Sequence, residues 1–476
     1  MTIEHPDPGP HAVARHLAEI VGEAHVASGL RISDDDTHDE CLTVDPVRPL
    51  AVVRPATTTE VAAVVSHCDG HGITVTARGG GTGLSGACVG HHAGIVVAFD
   101  RMASVIEVDV ADQMAVVQPG VTLARLDEIL APYGLFYPVQ PGEASATVGG
   151  TVATNAGGMR AVRFGVTRNH VVGLELVLAS GTVLRCGGRL AKISTGYDLT
   201  QLVIGSEGTL ALVTEVTIRL QRRPTAQSTL LVPFGDLPTL AAAIAPLVAS
   251  GVEPSMLEYV DLLSMAGITR AAGIELGVEP AVSERSSAYL LVGLQSRDPG
   301  QLDDDAAVVG TVLGHHGALE VYVLPPSAGA ALVEARERAF FAAKAAGADD
   351  IVDVVVPRSA IPDLLARAAD LAAGSGTLVT GCGHVGDGNV HLSVFQPDKS
   401  IRSRLLDQIF TYAVELGGAV SGEHGIGRAK QAAFAALADP AHVSLLRQIK
   451  QVFDPRGTLG PGVGPVAAPV SAPPRL

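Results

Sequence analysis

Two short segments in the last quarter of the chain hold the residue types that carry bond chemistry. Cys382-Gly-His384-Val-Gly-Asp387-Gly-Asn389-Val-His391-Leu-Ser393 sets two histidines seven apart across a glycine-rich stretch that a turn can fold back on itself. Ser421-Gly-Glu423-His424-Gly-Ile-Gly427-Arg428-Ala-Lys430 places a carboxylate beside a third histidine, again between glycines. Two imidazoles and one carboxylate form a donor set suited to a borderline divalent ion such as zinc or manganese, with positions left open for substrate oxygens. Neither segment is a recognised zinc motif, and loop histidines held by ordinary hydrogen bonds have the same pattern. Arg336 lies in Leu332-Val-Glu-Ala-Arg336-Glu-Arg338-Ala-Phe340-Phe341, which predicts a helix. A guanidinium there is a bidentate partner for an anion if buried and a solvated charge if exposed.

A second kind of chemistry is written in glycine. Gly81-Thr82-Gly83-Leu84-Ser85-Gly86 matches G-x-G-x-x-G, follows a predicted strand, and has Asp100 about 20 residues on, as a dinucleotide-binding unit would. That motif needs a helix behind its glycines. Only Ala87 to Ala93 separate Gly86 from the next strand, and a segment holding Gly90, His91 and His92 cannot supply one. The Lys-Ser/Thr ending of a nucleotide-triphosphate loop is absent too. What is left is a loop, Arg78-Gly79-Gly80-Gly81-Thr82-Gly83-Leu84-Ser85, whose amides can converge on one anion, with Arg78 and Ser85 as further donors. A second glycine region, Pro141 and Gly142 through Thr147, Gly149 and Gly150 to Asn155, Gly157 and Gly158, is expected to expose amides in the same way. Two such loops suit a ligand with a diphosphate and an extended flat ring system.

The elements that must position these residues follow from the apolar pattern. A helix is expected near Ala12 to Val21. Leu50 to Arg54 reads as a strand stopped by Pro55, Thr57-x-x-Glu60 as a capping box opening a helix that ends near Gly70 or Gly72, and Ile73 to Ala77 as a strand entering the glycine loop. Further strands are expected at Gly94–Phe99, Val105–Val110, Met114–Gln118, Val171–Leu178, Thr182–Cys186 and Leu212–Leu220, with a helix at Thr122–Leu130 and a hairpin turn at Ser180-Gly181. Beyond Pro224, alanine-rich helices alternate with strands at Ala288–Leu294, Leu319–Leu324 and Ile351–Val356, an α+β pattern with an antiparallel sheet. The expected division is a lead-in at 1–44, a cofactor domain at 45–224, a substrate domain at 225–430 and a segment at 431–476. The Pro/Ala-rich tail after Pro465 is expected to fray.

Composition sets the outer limits. The 476 residues suggest about two or three domains. With 33 basic and 49 acidic side chains, 33 − 49 gives a net charge of −16, a field that repels a nucleic-acid backbone. With 47% hydrophobic residues there is material for buried cores. There is no Trp among only 7 Tyr and 10 Phe, so a flat ligand must be held by backbone, aliphatic groups and the 54 glycines. Cys41, Cys68, Cys88, Cys186 and Cys382 form no C-x-x-C pair, which argues against an iron–sulfur cluster, a zinc ribbon or a disulfide framework. The N-terminus lacks a basic region before an apolar one, and the apolar stretch Leu240 to Val252 is short and holds Pro246. No integral membrane segment is therefore expected, and a cytoplasmic location is.

The run Arg78 to Gly86, the segment from Pro141 to Gly158, and Gly205-Ser206-Glu207-Gly208-Thr209-Leu210 together resemble the FAD-binding domain of the vanillyl-alcohol-oxidase/p-cresol-methylhydroxylase flavoproteins. The C-terminal third resembles the branch holding D-lactate dehydrogenase, the glycolate oxidase catalytic subunit and D-2-hydroxyglutarate dehydrogenase. The likeness covers about 45 to 463 and implies an α+β fold: a two-subdomain PCMH-type FAD-binding domain, a substrate (cap) domain with an antiparallel sheet, and a C-terminal segment returning to the FAD domain. It implies FAD held through the residues just named, Glu207, Gly208, Thr209 and Leu210 included. It implies a divalent metal on His384, His391 and Glu423, His424 beside the substrate hydroxyl, and Arg336 on the carboxylate of a 2-hydroxy acid.

Two departures qualify what the resemblance implies. Where the 2-hydroxyglutarate enzymes carry a threonine and a lysine for a second carboxylate, this chain has Phe340 and Ile351, which favours a monocarboxylic substrate, D-lactate-like or with a longer apolar side chain. Gly460-Pro461-Gly462-Val463 replaces the branch's asparagine-proline-glycine-lysine ending. The electron acceptor is left open among a quinone, an electron-transfer flavoprotein, a cytochrome and oxygen, and a homodimer is compatible with the sequence. The alternatives are a metal-independent FAD alcohol oxidase using oxygen, a glycolate-oxidase-type subunit of a complex, and a noncatalytic flavin-binding subunit.

Overall fold

The computed structural model describes residues 10–465, so the tail expected to fray lies outside the described residues. Thr57 Oγ1 accepts from Glu60 N–H at 3.1 Å, and Glu60 reaches back to accept from Ala56 N–H at 2.6 Å. The helix Thr58–His71 that this box opens is closed by Gly72 at a φ of +67°. It crosses between two parallel strands of a four-stranded sheet ordered Val26–Ser28, Ala51–Val53, Gly94–Ala98, Thr74–Arg78. The glycine loop springs from the carboxyl end of Thr74–Arg78, the side on which parallel strands present their ligands. Segments near both limits of the described residues join this layer. Val13, Leu17 and Val26 share its core, and Leu459 pairs with Val75.

A five-stranded antiparallel sheet follows, ordered Val105–Asp109, Met114–Val117, Leu212–Arg219, Val171–Val177, Val183–Gly187. The turn between the last two falls at Ser180-Gly181, where Gly181 has a φ of +82°. The region from 148 to 154 departs from the expected open loop. Val148–Thr154 is a helix capped by Thr147, with Asn155 in the left-handed conformation at its end. Its first amides are anchored on Val121 O and Pro119 O at 2.9 and 2.8 Å, contacts from distant sequence that outweigh the poor helix propensity of two glycines.

A seven-stranded antiparallel sheet fills the second half. Its order is Tyr322–Val323, Ala226–Phe234, Ala288–Ser296, Met256–Asp261, Leu378–Gly383, Asn389–Phe395, Asp350–Val355. Strand alternation sorts its two faces. Leu257, Tyr259, Val352, Val354, Val390 and Leu392 meet the helices Leu237–Ala249, Ile361–Ser375 and Lys399–Glu415 in the main core. Met256, Val260 and Cys382 turn to the other face, under Leu262–Ala272 and Pro326–Glu337. Glu258, Asp353 and His391 occupy that second face by the same alternation. The expected strand Leu319–Leu324 shrinks to Tyr322–Val323, because Pro233 in the neighbouring strand has no N–H to return the bond it accepts from Leu319. No helix among the described residues is long and apolar enough to cross a membrane.

Candidate active site

Leu378–Gly383 and Asn389–Phe395 pair with Cys382 opposite His391, and the connection turns back over Gly388 at a φ of +92°. A Cβ at Gly388 would lie 2.1 Å from Val356 O, so only glycine closes this turn. The turn sets the His384 and His391 rings edge to face, with centroids 5.0 Å apart. Glu423 arrives from a separate loop: its Oε1 lies 3.0 Å from His384 Nε2 and 3.3 Å from His391 Nε2. Gly157 makes the approach feasible, since a Cβ there would meet Glu423 Oε2 at 2.7 Å. One ligand atom from each of His384, His391 and Glu423 falls within 4.8 Å of the others. His424 stacks on His391 at 5.1 Å and an interplanar angle of 7°.

Two fully buried carboxylates hold these groups. Asp353 Oδ2 accepts from Ser421 Oγ, from the amides of Gly422, Glu423 and His424, and from Lys430 Nζ, at 2.8 to 3.2 Å. Its Oδ1 accepts from Asn389 Nδ2 at 2.8 Å. Burial alone would raise its pKa, but His424, Lys430, His391 and the Asn389 bond hold it well below the usual carboxylate range. With both oxygens engaged, Asp353 is a support rather than a ligand, although it clusters with His391 and His424. Glu258 faces His384 Nδ1 at 2.7 Å, the carboxylate–imidazole pairing that orients metal-ligating histidines. Its other oxygen lies 2.8 Å from Arg336 Nη2.

Arg336 sits in the last turn of Pro326–Glu337 and is only 5% exposed. Its Nε and Nη2 have no hydrogen-bond partner, because the approach to Glu258 lacks hydrogen-bond alignment. The guanidinium is thus ion-paired with Glu258 while its Nε stays unpartnered, and it lines a cavity as a buried cation able to meet an anion. Arg338 is exposed and lies outside that cavity.

The cavity around Arg336 measures about 390 Å³ and meets a second cleft at Leu84, Pro141, Glu423 and His424. That cleft runs over the glycine loop, the Thr147 cap, Gly149 to Thr151, and Ser206 to Gly208. Among the described residues, no protein group accepts from any amide of Gly79 through Ser85. Seven consecutive free N–H groups on one concave loop fit a diphosphate.

Residues 223–463 match the family described as FAD linked oxidases, C-terminal domain, and residues 49–187 match the FAD binding domain. The chain is 51% identical over 447 residues to an uncharacterized FAD-linked oxidoreductase of Mycobacterium tuberculosis, covering 94% of this chain and 97% of that one. The chain belongs to the FAD-linked oxidases. It is 34% identical over 460 residues to a D-lactate dehydrogenase of Anaerostipes hadrus, covering 93% and 95% of the two proteins. Crystalline p-cresol methylhydroxylase shares the fold at a TM-score of 0.81 and 16% identity, over 96% of this chain and 97% of that one.

In this FAD-linked oxidoreductase the cleft takes in Arg78 to Ser85, Pro141, Thr147, Gly149, Gly150, Glu207 and Gly208 from the expected cofactor set. Gly142 lines the Arg336 cavity instead. Asn155, Gly157, Gly158, Thr209 and Leu210 line neither. Gly158, at a φ of +117°, presses on Gln140 O, and Thr209 is packed beneath Gly460. The Arg78 guanidinium donates to Asp35 O and His38 O at 2.5 and 2.6 Å, bracing the loop against the preceding segment. Sequence reading missed Glu258 and Asp353. A single charge inside an apolar strand, Met-Leu-Glu258-Tyr-Val and Ile-Val-Asp353-Val-Val, was the signal available.

Proposed function

We propose that this FAD-linked oxidoreductase oxidises a D-2-hydroxy monocarboxylic acid to the 2-oxo acid. The observation that carries the reading is the buried Arg336, paired with Glu258 through Nη2 and with its Nε unpartnered, beside the His384, His391 and Glu423 cluster where the two cavities meet. FAD in the glycine-lined cleft would supply a hydride acceptor, and His384, His391 and Glu423 would hold a divalent ion whose charge would make a nearby hydroxyl more acidic. Arg336 binds the carboxylate and thereby orients the α-carbon. Burial drives His424 down to about 4 despite the pull of Asp353, so at neutral pH its imidazole is an acceptor for the hydroxyl proton. The proton goes to His424 as the α-hydrogen leaves with its electron pair and C=O forms. The 34% identity to a D-lactate dehydrogenase supports this substrate class. Phe340 and Ile351 line the cavity and give a second carboxylate no partner. Because the cysteines are dispersed, the electrons pass to an external acceptor.

Anaerobic mixing with matched D- and L-2-hydroxy acids tests the reading through flavin absorbance. Bleaching by the D series alone is expected. A protein that stays oxidised with every D-2-hydroxy acid does not have this function. Turnover that is unchanged after verified metal removal by a chelator moves the reading to a metal-independent FAD oxidase.

A further inference from the structure

The cavity is far longer than a lactate methyl requires. His391, Ser393 and Phe395 alternate onto one face of their strand, and each lines the cavity. Leu378 pairs with Phe395, and Cys382 with His391, so the neighbouring strand runs the same course. Four residue steps at about 3.3 Å each make the floor about 13 Å long, from the histidine cluster to Phe395. The roof carries many small side chains, Gly267 on one helix, then Ala339, Ala342, Ala343 and Ala346 on and after Ala339–Ala345, with Ile268 and the Phe340 ring among them. At the far end the lining residues Leu263 and Leu378 are 55% and 51% exposed, which makes an apolar, open mouth. Among the described residues lining the cavity, Arg336 is the only fixed cation, and Glu337 is tied to Gln140. One end therefore suits an anion, and the rest offers mostly apolar surface, the Phe340 and Phe395 rings included, with isolated hydroxyls at Ser264, Thr380 and Ser393.

We propose that the preferred substrate is a D-2-hydroxy acid of medium to long carbon number whose linear tail lies along this floor and leaves by the Leu263–Leu378 mouth. The inference rests on the reading above and adds the length and direction of the substrate's tail. At about 1.25 Å of advance per carbon–carbon bond, the floor takes roughly ten methylenes. Each methylene buried there raises specificity by about fourfold until the tail reaches the mouth.

The test is anaerobic stopped-flow reduction of the FAD-loaded protein by D-lactate, D-2-hydroxybutyrate, -hexanoate, -octanoate and -decanoate, with D-2-hydroxyglutarate alongside. Specificity should climb with tail length, and octanoate should exceed lactate by at least a hundredfold. Gly267→Leu, at a position where a Cβ meets open space, should cut the octanoate-to-lactate ratio at least tenfold. Calorimetry should show 2-oxooctanoate binding more tightly than pyruvate. Lactate or 2-hydroxyglutarate matching octanoate overturns the inference while sparing the reaction class. If nothing in the panel reduces the flavin, the reaction class fails. Equal binding of the two 2-oxo acids then overturns this inference as well.

Discussion

The two cavities meet at Glu423 and His424, yet they are built on opposite plans. The cleft over Gly79 to Ser85 binds with backbone: free amides and glycines, with the nearby Arg78 turned to backbone carbonyls of the preceding segment. The Arg336 cavity presents charged side chains instead, and Arg336, His384 and the His424 loop lean on a buried carboxylate, Glu258 or Asp353. An anion of constant shape can be met by fixed dipoles, which work inside a protein of charge −16 without adding a cation. A reacting centre needs defined protonation states, and those are set by charges held out of water. The difference predicts that damage to one cavity leaves the other's signature intact.

The largest effect is expected at the cluster. Glu423→Gln should slow flavin reduction on the order of 10³-fold while the protein stays yellow, because several kcal/mol of charge stabilisation go with the carboxylate. A loss below tenfold in stopped-flow reduction would place the reacting centre elsewhere. Arg336→Met comes next: kcat/KM should fall on the order of 10²-fold, mostly through KM, and Arg336→Lys should recover only part of it, since a point charge does not replace a fork. FAD content should be unchanged in both, and a colourless Arg336→Met protein would erase the separation of the two plans.

Gly80→Ala probes the other side. Its Cβ would sit 2.9 Å from Ser145 O, so the loop must shift. FAD should then bind about tenfold more weakly, the loss of one or two amide contacts, with turnover restored at saturating FAD. The last effect is on stability rather than on activity and concerns Glu207, which lines the cleft. Burial drives its carboxyl up to about 7, against the Gly427 amide bond and the Lys430 charge. A raised carboxyl favours the protonated fold, so its contribution to stability is full below about 4.5 and is lost as the pH rises to about 7. The slope is at most about 1.4 kcal/mol per pH unit. Glu207→Gln should flatten the thermal midpoint across that range, and an unaltered profile would show that Glu207 is not the group responsible.

Local signals were legible wherever a residue acts on its own neighbourhood. The Thr57–Glu60 box, the Gly72 stop and the Ser180-Gly181 turn are all settled within a few residues, and all three form. The His384–His391 pair was legible because a glycine turn folds seven residues back on themselves. The helix Val148–Thr154 was not, since its anchors at Pro119 and Val121 come from another strand's end. Nor were Glu258 and Asp353 recognised as supports, because each faces its partners across a sheet whose strand order the sequence does not state.

Amino-acid order alone determined the kinds of chemistry present: a glycine loop able to offer amides, histidines and a carboxylate able to hold a metal, and apolar residues where a second carboxylate would need a cation. Tertiary structure decided which of these act. It lined the cleft with Gly79 to Ser85, whose amides have no protein acceptor, and filled the space at Gly157 and Gly158 with protein. It buried Arg336 beside Glu258 and drew a cavity floor about 13 Å long from His391, Ser393 and Phe395, alternate residues of one strand. The reason is that residue type fixes what an atom can donate or accept, whereas burial and the partner across the sheet fix whether that capacity is already satisfied.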